Sequence, residues 1–329
     1  MGHVTRCLAL ATELVKRKYN VFFVCRIDEK VNTEIVKNFN FFLLNSKEMK
    51  RDVTKDYNYW LGVEQEYDAV ECINVTSCGR NATWVVDHYG INHFWEERIS
   101  FFGCRVIVID DLMRDHFADI IIDYNLTADY KRYFSSKLKK ENAKYLMGIS
   151  FSILREDILQ AMKYNFSGEK NSCLLFLGTP APSLFNRLIV ILRRFNFKKL
   201  EILNPPSGFV PHENEVVISF TSNIAELYQY QRIVFGACGL ANLERIFLGV
   251  PTISFSVSDN QKKLSDKIKE MELQFCLGDL NLLADDDIFK SINEILKKSH
   301  DELKDFFSKA CELVPNDGVK KIVDQIMLI

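Results

Sequence analysis

The chain has 329 residues, more than a single hydrophobic core usually holds, so we expect two domains of ordinary size. Its 42 Lys and Arg nearly balance its 44 Asp and Glu, and no long run of one charge sign occurs, which excludes the basic surface of a nucleic-acid-binding protein. The apolar runs fall well short of the roughly 20 residues that cross a bilayer, so we expect a cytoplasmic protein with no stable membrane insertion.

Short apolar runs alternate with helical patterns along most of the chain. This alternation is typical of parallel βαβ units and predicts an α/β fold. In the first half the predicted strands are Val21–Cys25, Phe41–Leu44, Ala69–Ile73, Thr83–Val86, Arg105–Ile109 and Ile120–Asp123. In the second half they are Cys173–Leu177, Lys199–Leu203, Val216–Ser219, Arg232–Gly236, Thr252–Phe255 and Gln274–Leu277.

The domain boundary is expected between Gly148 and Gly168, before the second series of strands begins. This gives an N-terminal domain at residues 1–150 and a C-terminal domain at residues 151–329. Residues 279–329 carry Ile, Leu and Phe at helical spacing among many charged residues, which predicts helices with solvated faces.

The first predicted element is an amphipathic helix that follows Met1-Gly2-His3 directly, with no strand before it. One face of this helix carries Leu8, Ala11, Leu14 and Val15. The first strand of a doubly wound sheet is usually central, so its absence predicts a gap with two unpaired strand edges. His3 lies where free N–H groups and the helix dipole favour an anion. A disordered terminal histidine is the alternative interpretation.

The segment from Thr83 to Arg98 is the most informative about function. Its apolar run has the character of a parallel strand buried on both faces, and the sequence Asp87-His88-Tyr89-Gly90 follows where that strand ends. Ligands of open α/β sheets bind at the carboxyl ends of the strands, so these side chains are candidates for a site. The alternative is a simple helix cap at Asp87.

Several motifs follow one another along the chain. They are GHVTRCLALA at 2–11, WVVDHYGINHFWEER at 84–98, VIDDL at 108–112, ADIIIDYNL at 118–126, YLMG at 145–148 with Leu154-Arg155, GVPTI at 249–253 and DNQ at 259–261. In this order they resemble the GxGHxxRCLxLA, VVDxYxxxxxWE, DDL, DxxLDQNL, LLGxxYxLLR, GxP(S/T)I and ADNQ motifs of the UDP-2,4-diacetamido-2,4,6-trideoxy-β-L-altropyranose hydrolases, enzymes of pseudaminic acid synthesis. The resemblance covers nearly the whole chain.

The resemblance implies a glycosyltransferase-B-like fold, with two Rossmann-like domains facing a cleft. The first strand of the N-terminal domain, which this chain lacks before its first helix, departs from that pattern. It implies that the C-terminal domain holds the nucleotide of a UDP-sugar substrate. The implied reaction is hydrolysis of the bond between the anomeric carbon and the pyrophosphate oxygen, which releases UDP and the free sugar. His3 is then the general base, since a neutral imidazole can take a proton from the attacking water.

The resemblance also supplies substrate-binding candidates. In the C-terminal domain, the Gly239 turn offers N–H donors to the pyrophosphate, Glu244 offers a carboxylate to the ribose, and Asn260 and Gln261 offer amides to the sugar. The remaining candidates are Gly178 and Thr179 in a second loop, Tyr89 and Asp87 on the sugar side, and Arg155 near the phosphates. A surface glutamate at Glu244 and a helix cap at Asp259 are the plain alternatives.

Two loops depart from the pattern of the family. Its AGGST turn is here Ala237-Cys238-Gly239-Leu240-Ala241, and its FGGTDP is Phe176-Leu177-Gly178-Thr179-Pro180-Ala181. A glycine and both hydroxyl side chains are therefore absent from the first loop. These changes leave open a diverged homologue without catalytic activity, and the fold leaves open a glycosyltransferase that passes the sugar to an acceptor.

Metal and cofactor chemistry is not indicated. No His and carboxylate cluster has ligand spacing, and the pair Asp110-Asp111 is more simply a strand-end cap. The nine cysteines form no CxxC pair, so neither a zinc site nor a disulfide framework is expected. We expect a protein with no metal and no cofactor, and we favour a monomer.

Overall fold

The computed structural model describes residues 2–26, 38–45, 57–165, 172–178, 180–239 and 241–329. It divides into two compact units, of which unit 1 comprises Met1–Arg155 with Asp317–Ile329 and unit 2 comprises Glu156–Asn316. Residues 317–329 thus belong to unit 1, whereas the sequence placed them in the second domain. Every paired strand is parallel to its neighbour, and the predicted α/β fold is confirmed.

In unit 1, helices and strands are interspersed along the chain. Its first four helices are α1 (Gly2–Lys16), α2 (Gln65–Thr76), α3 (His93–Phe101) and α4 (Tyr130–Phe134). Its strands are β1 (Phe22–Arg26), β2 (Asn40–Leu44), β3 (Thr83–Val86), β4 (Arg105–Ile109), β5 (Ile120–Asp123) and β6 (Lys144–Met147). Of these strands, only β6 lies outside the strands that the sequence predicts.

The strands of unit 1 form two separate sheets within the described part of the chain. One sheet pairs β1 with β2, and the other has the order β3-β4-β5-β6. The sequence predicted a gap beside a missing first strand, and β1 does not join the sheet of β3 in the described residues. Strands β4 and β5 are almost entirely buried, as expected of central parallel strands.

Two sequence predictions in unit 1 are wrong. The segment Ala69–Ile73 lies in α2 and is not a strand; its buried residues, Asp68, Ala69 and Cys72, share one helical face. Val70 and Ile73 favour a strand by their propensity, but the helical spacing of the buried side chains prevails in the structure. In α1 the buried residues are Arg6, Leu10, Ala11 and Glu13. Val15, expected on the apolar face, is 48% exposed.

Unit 2 contains one six-stranded sheet covered by helices. Its helices are α5 (Glu156–Gln160), α6 (Pro182–Leu192), α7 (Ile224–Gln229), α8 (Ala241–Leu248), α9 (Lys262–Glu270), α10 (Asp285–Leu296) and α11 (His300–Ala310). Its strands are β7 (Ser172–Phe176), β8 (Lys199–Leu203), β9 (Glu215–Ile218), β10 (Gln231–Ala237), β11 (Thr252–Ser256) and β12 (Phe275–Asp279). The sheet order is β12-β11-β10-β7-β8-β9.

This strand order has a reversal point between β7 and β10. From β7 the chain continues outward to β8 and β9, and it then returns to place β10, β11 and β12 on the other side of β7. In open parallel sheets, ligands bind outside the carboxyl ends of the strands at such a point. The loops that follow β7 and β10 are therefore the positions in unit 2 where a ligand site is expected.

The last helix, α12 (Gly318–Ile326), packs on unit 1. Arg17, which follows the last residue of α1, forms an ion pair with Asp324 at 2.9 Å. At the start of α12, an ideal Cβ on Gly318 would lie 2.3 Å from the carbonyl oxygen of Ser152 and 2.6 Å from its nitrogen. The absence of a side chain at Gly318 thus allows the helix to approach the 3₁₀ turn Ile149–Phe151 closely.

We expect Gly318→Ala to lower the free energy of unfolding of unit 1 by about 1–3 kcal/mol, because the added methyl group meets backbone atoms that have no room to move. The three tryptophans, Trp60, Trp84 and Trp95, all lie in unit 1, so the midpoint of urea unfolding followed by their fluorescence reports this unit. Gly79→Ala is the control, because no atom lies within 4 Å of its added Cβ. Equal midpoints for the two variants would contradict the expected close packing.

Candidate active site

His3 and Arg6 lie one turn apart on α1, so their side chains leave the same face of the helix. Asp87 follows the last residue of β3, and its side chain has no contact with solvent. His3 Nδ1 lies 2.6 Å from Asp87 Oδ1. Arg6 donates from Nε to Oδ2 at 2.8 Å and from Nη2 to Oδ1 at 2.7 Å. One carboxylate therefore anchors the amino end of α1 at the carboxyl edge of the sheet.

The position of the proton on His3 follows from its two neighbours. Arg6 Nη2 also lies 2.8 Å from this Nδ1, but it donates to Asp87 Oδ1 at 2.7 Å, so the carboxylate decides which nitrogen of the ring carries the proton. If Nδ1 carried a lone pair toward Asp87, two electron-rich atoms would face each other at 2.6 Å, which is repulsive. We therefore assign the proton to Nδ1, which donates to Asp87. In the neutral ring Nε2 then carries the lone pair, and the side chain is 29% exposed.

Tyr89 lies beside His3, with the ring centroids 4.6 Å apart in an edge-to-face arrangement. Its hydroxyl donates to Asp111 Oδ1 at 2.6 Å. Burial, together with the Asp111 carboxylate, raises the pKa of Tyr89, so the phenol stays neutral. Arg6 also donates to the hydroxyl of Tyr124 at 3.4 Å. The hydrogen bond to Asp111 thus holds the Tyr89 ring next to the imidazole.

A fully buried ionic cluster lies at the end of β4. His116 Nδ1 is 2.8 Å from Glu96 Oε1, and its Nε2 is 3.5 Å from Asp110 Oδ2. Burial alone would lower the pKa of His116, but the two carboxylates outweigh it and raise the pKa to about 9. Burial would also raise the pKa of Asp110, but His116 and Arg114 hold it well below its usual range. The histidine is therefore charged at neutral pH.

Tyr133 connects this cluster to the end of β5. Its hydroxyl oxygen lies 3.1 Å from Asp110 Oδ2 and 3.2 Å from Asp123 Oδ2. Burial raises the pKa of Asp123 to about 7, and the nearby Asp111 and Asp110 carboxylates act in the same direction. A hydroxyl has one proton, so the contact with Asp123 becomes a second hydrogen bond when the Asp123 carboxyl group is protonated and donates it.

Arg114 ties the loops after β3 and β4 together. Its Nε donates to Asp110 Oδ1 at 2.7 Å, and its Nη1 donates to the carbonyls of Tyr89 and Ile91 at 2.5 Å and 2.9 Å. Asp110 also accepts from the backbone nitrogen of Leu112 at 3.2 Å, in the capping geometry that the sequence suggested for it. Arg114 thus links the loop that carries Asp87 and Tyr89 to Asp110 at the end of β4.

In unit 2, Gly178 follows β7 at the reversal point of the sheet. Its φ of 74° lies in the left-handed region, where glycine is favoured, and no atom lies within 4 Å of an ideal Cβ. Asn204 donates from Nδ2 to its carbonyl at 3.4 Å. Thr179, the other residue predicted in this loop, lies outside the described residues.

Gly239 follows β10, the neighbour of β7. An ideal Cβ on Gly239 would lie 3.6 Å from Gln261 Nε2, so the structure brings these two predicted residues together. Gln261 Oε1 accepts from the backbone nitrogen of Val257 at 3.1 Å, which leaves its amide nitrogen directed at the Gly239 turn. This turn is the expected position for an anionic ligand.

The other predicted residues of unit 2 flank this turn. Glu244 lies in the first turn of α8 and is partly buried. Asn260 is exposed in the 3₁₀ turn Asp259–Gln261, where its Oδ1 accepts from the hydroxyl of Ser258 at 2.6 Å. Arg155 ends the first stretch of unit 1 and is partly buried. The candidates thus form one group around His3 in unit 1 and a second group around Gly239 in unit 2.

Arg6 is the main site residue that the sequence analysis missed. It stands three positions after His3, on the same helical face, and is only 3% exposed. The sequence signal for Arg6 is its position one helical turn after the candidate base, on the same face of the helix. The sequence favours Asp111 as part of a strand-end cap over a role in the site, and it gives no signal for Tyr124. Their contacts to Tyr89 and Arg6 join distant segments, and local sequence carries no signal for that.

Two classes of site are not found in the described residues. Within them, no group of three or more His, Cys, Asp or Glu side chains is arranged to hold a metal ion. None of the helices that the structure describes combines the length and the apolar character needed to cross a membrane.

Comparisons with known proteins identify the fold. No protein-family model and no curated protein matches the chain. MurG of Acinetobacter baumannii is 13% identical over 100% of this chain and 96% of that chain, with a TM-score of 0.63. The glycotransferase of kitacinnamycin is 13% identical over 98% and 95%, with a TM-score of 0.67. A putative UDP-N-acetylglucosamine 2-epimerase from Listeria monocytogenes is 12% identical over 98% and 92%, with a TM-score of 0.62. The chain thus shares the two-Rossmann-domain, glycosyltransferase-B-like fold of these proteins.

The stability of unit 1 should fall as the pH rises from about 6.5 to 9. The pKa of His116 is raised from 6.5 to about 9 on folding, so its contribution is complete below 6.5 and is lost as the pH approaches the folded value. The shift corresponds to about 3 kcal/mol of unfolding free energy. Urea unfolding followed by tryptophan fluorescence at a series of pH values measures this loss.

His116→Gln removes the titrating group and should flatten the pH dependence over this window. His212→Gln, at an exposed position of unit 2, should leave the dependence as it is in the unmodified protein. A wild-type unfolding free energy that stays constant between pH 6.5 and 9 would contradict the assignment of a charged His116 between two carboxylates.

Proposed function

We propose that this protein hydrolyses a UDP-sugar to UDP and the free sugar. The observation that carries the proposal is the pairing of His3 Nδ1 with Asp87 Oδ1 at 2.6 Å, which holds the imidazole by Nδ1 and leaves Nε2 to act on a substrate. The sugar we propose is 2,4-diacetamido-2,4,6-trideoxy-β-L-altropyranose, in pseudaminic acid synthesis, because the motifs that resemble that family follow one another along nearly the whole chain. The fold supports a UDP-sugar, since the Listeria protein of the same fold is named for one.

In the proposed reaction, His3 Nε2 takes a proton from a water molecule. The water oxygen forms a bond to the anomeric carbon while the bond from that carbon to the pyrophosphate oxygen breaks, and its electron pair leaves with UDP. The proton on Nδ1 stays with the ring, so the base becomes an imidazolium. The Asp87 carboxylate stabilises this charge at 2.6 Å, and Arg6 holds the carboxylate in position.

Unit 2 is proposed to bind the nucleotide. The leaving pyrophosphate needs preorganised donors more than an acid, and Gly239 with the amino end of α8 offers backbone N–H groups. Glu244 is proposed to accept the ribose hydroxyls, and Asn260 and Gln261 to contact the sugar. The other candidates are also proposed to contact the substrate. They are Gly178 and Thr179 in the loop after β7, Tyr89 on the sugar side beside His3, and Arg155 near the phosphates.

A glycosyltransferase is the second candidate function. The kitacinnamycin protein of the same fold is a glycotransferase, and a base such as His3 can equally deprotonate an acceptor hydroxyl. The two functions differ in their products, since a hydrolase releases the free sugar whereas a transferase yields an acceptor conjugate. Product analysis therefore decides between them.

We expect His3→Ala to lower kcat for the release of UDP by about 10²–10⁴-fold, because the reaction loses its base while unit 2 is unchanged. Phosphorus and proton NMR of the incubated UDP-sugar report UDP and the free sugar separately. Added imidazole should restore part of the rate in His3→Ala. It should do nothing for the unmodified protein.

His212→Ala is the control, since it removes an exposed histidine of unit 2. Tryptophan fluorescence of each variant confirms that unit 1 is folded. A His3→Ala variant that releases UDP at the rate of the unmodified protein would exclude His3 as the base. Intact substrate with the unmodified protein would support the diverged homologue without catalytic activity.

A further inference from the structure

Arg245 on α8 is a buried guanidinium without a carboxylate. It is 0% exposed, and within the described residues it forms no ion pair. Arg6, the other buried arginine of the described chain, has the Asp87 carboxylate at 2.7 Å. A buried charge that lacks a partner is costly, so such a residue normally has a compensating anion.

The side chain of Arg245 points to the amino end of its own helix. Its Nη2 donates to the carbonyl of Ala237 at 2.7 Å and to Asn242 Oδ1 at 3.0 Å. The guanidinium lies against Gly236, where an ideal Cβ would come within 2.7 Å of its central carbon. The glycine at the end of β10 thus makes the space that the charge occupies.

Two nitrogens of this guanidinium have no hydrogen-bond partner in the described chain. They are Nε and Nη1, and the buried amide nitrogen of Asn242 is likewise unpartnered there. The helix dipole adds positive potential at the same end of the helix, where the N–H group of Asn242 donates to the carbonyl of Gly239 at 3.0 Å. The described residues therefore concentrate positive charge and unused donors at the amino end of α8, next to Gly236 and Ala237 at the end of β10.

We propose that Arg245 is the buried counter-charge of a phosphate-bearing ligand that binds at the amino end of α8. Phosphate suits this place because helix N–H groups and a guanidinium are the donors that proteins most often direct at it. Arg245 acts as a positioning residue, since it holds the Ala237 carbonyl and attracts the ligand's charge without being exposed itself. The identity of the ligand as UDP rests on the proposed function.

The test compares UDP with uridine, which lacks the phosphates. In Arg245→Met, the Kd of UDP measured by calorimetry should rise by about 10- to 100-fold, whereas the Kd of uridine should not change. The thermal transition of unit 2, followed by scanning calorimetry, should stay or rise, because replacing an unpaired buried charge by an apolar side chain removes its desolvation cost. A purely structural role would weaken both ligands and lower the transition.

Two further variants separate charge from hydrogen bonding if Arg245→Met does not fold. Arg245→Gln retains a donor for the Ala237 carbonyl but carries no charge, and it should bind UDP weakly. Arg245→Lys keeps the charge and should bind UDP more tightly than Arg245→Gln. Arg193→Met is the matched control in unit 2, because Arg193 pairs with Glu215 at 2.8 Å. It should lower the thermal transition and leave the Kd of UDP unchanged.

The outcomes separate this inference from the proposed function. Unchanged UDP affinity in Arg245→Met and Arg245→Gln would overturn the role of Arg245 while leaving UDP as the ligand. An equal loss for UDP and uridine would do the same. If the unmodified protein binds no UDP, the proposed function fails, and inorganic pyrophosphate then tests the site. Pyrophosphate binding that is lost in Arg245→Gln supports the anion site, and no pyrophosphate binding overturns it.

Discussion

The side chain of Asp87 is excluded from solvent, and its two oxygens are shared between His3 and Arg6. A buried carboxylate requires this compensation, and it also imposes geometry, because both partners lie on one helix and must approach one strand end. The same contact that keeps α1 on the sheet therefore selects the tautomer of His3. Stability and the orientation of the candidate base depend on one pair of oxygen atoms.

The two units differ in how their buried positive charges are compensated. In unit 1 the cations Arg6 and His116 have carboxylates within 2.8 Å, so the arrangement around the candidate base is complete in the absence of a ligand. In unit 2 the guanidinium of Arg245 lacks such a partner among the described residues, and part of its hydrogen-bonding capacity is unused. The proposed function is a reaction with a charged leaving group, and such a reaction requires a preorganised base and a binding site for the anion.

Most of the strands were predictable because their apolar runs are short and bounded by polar turns, as in Arg105–Ile109 and Ile120–Asp123. The segment Ala69–Ile73 was not, since β-branched residues outweighed a helical spacing of its buried side chains. Asp87 was predictable as a strand-end residue, but its bond to His3 joins positions 84 residues apart. The unpaired state of Arg245 depends on what surrounds it in space, and no local pattern encodes that.

Because α12 belongs to unit 1, the two units cannot complete their folding in chain order. Unit 2 is one continuous stretch, Glu156–Asn316, whereas unit 1 needs residues from both sides of it. During translation unit 2 can therefore fold as soon as it emerges. The surface around Arg17, which pairs with Asp324, stays exposed until α12 has been synthesised. A fragment that ends at Arg155 would lack α12 and would leave that surface exposed. Unit 1 therefore cannot be isolated by ending the chain where it passes into unit 2.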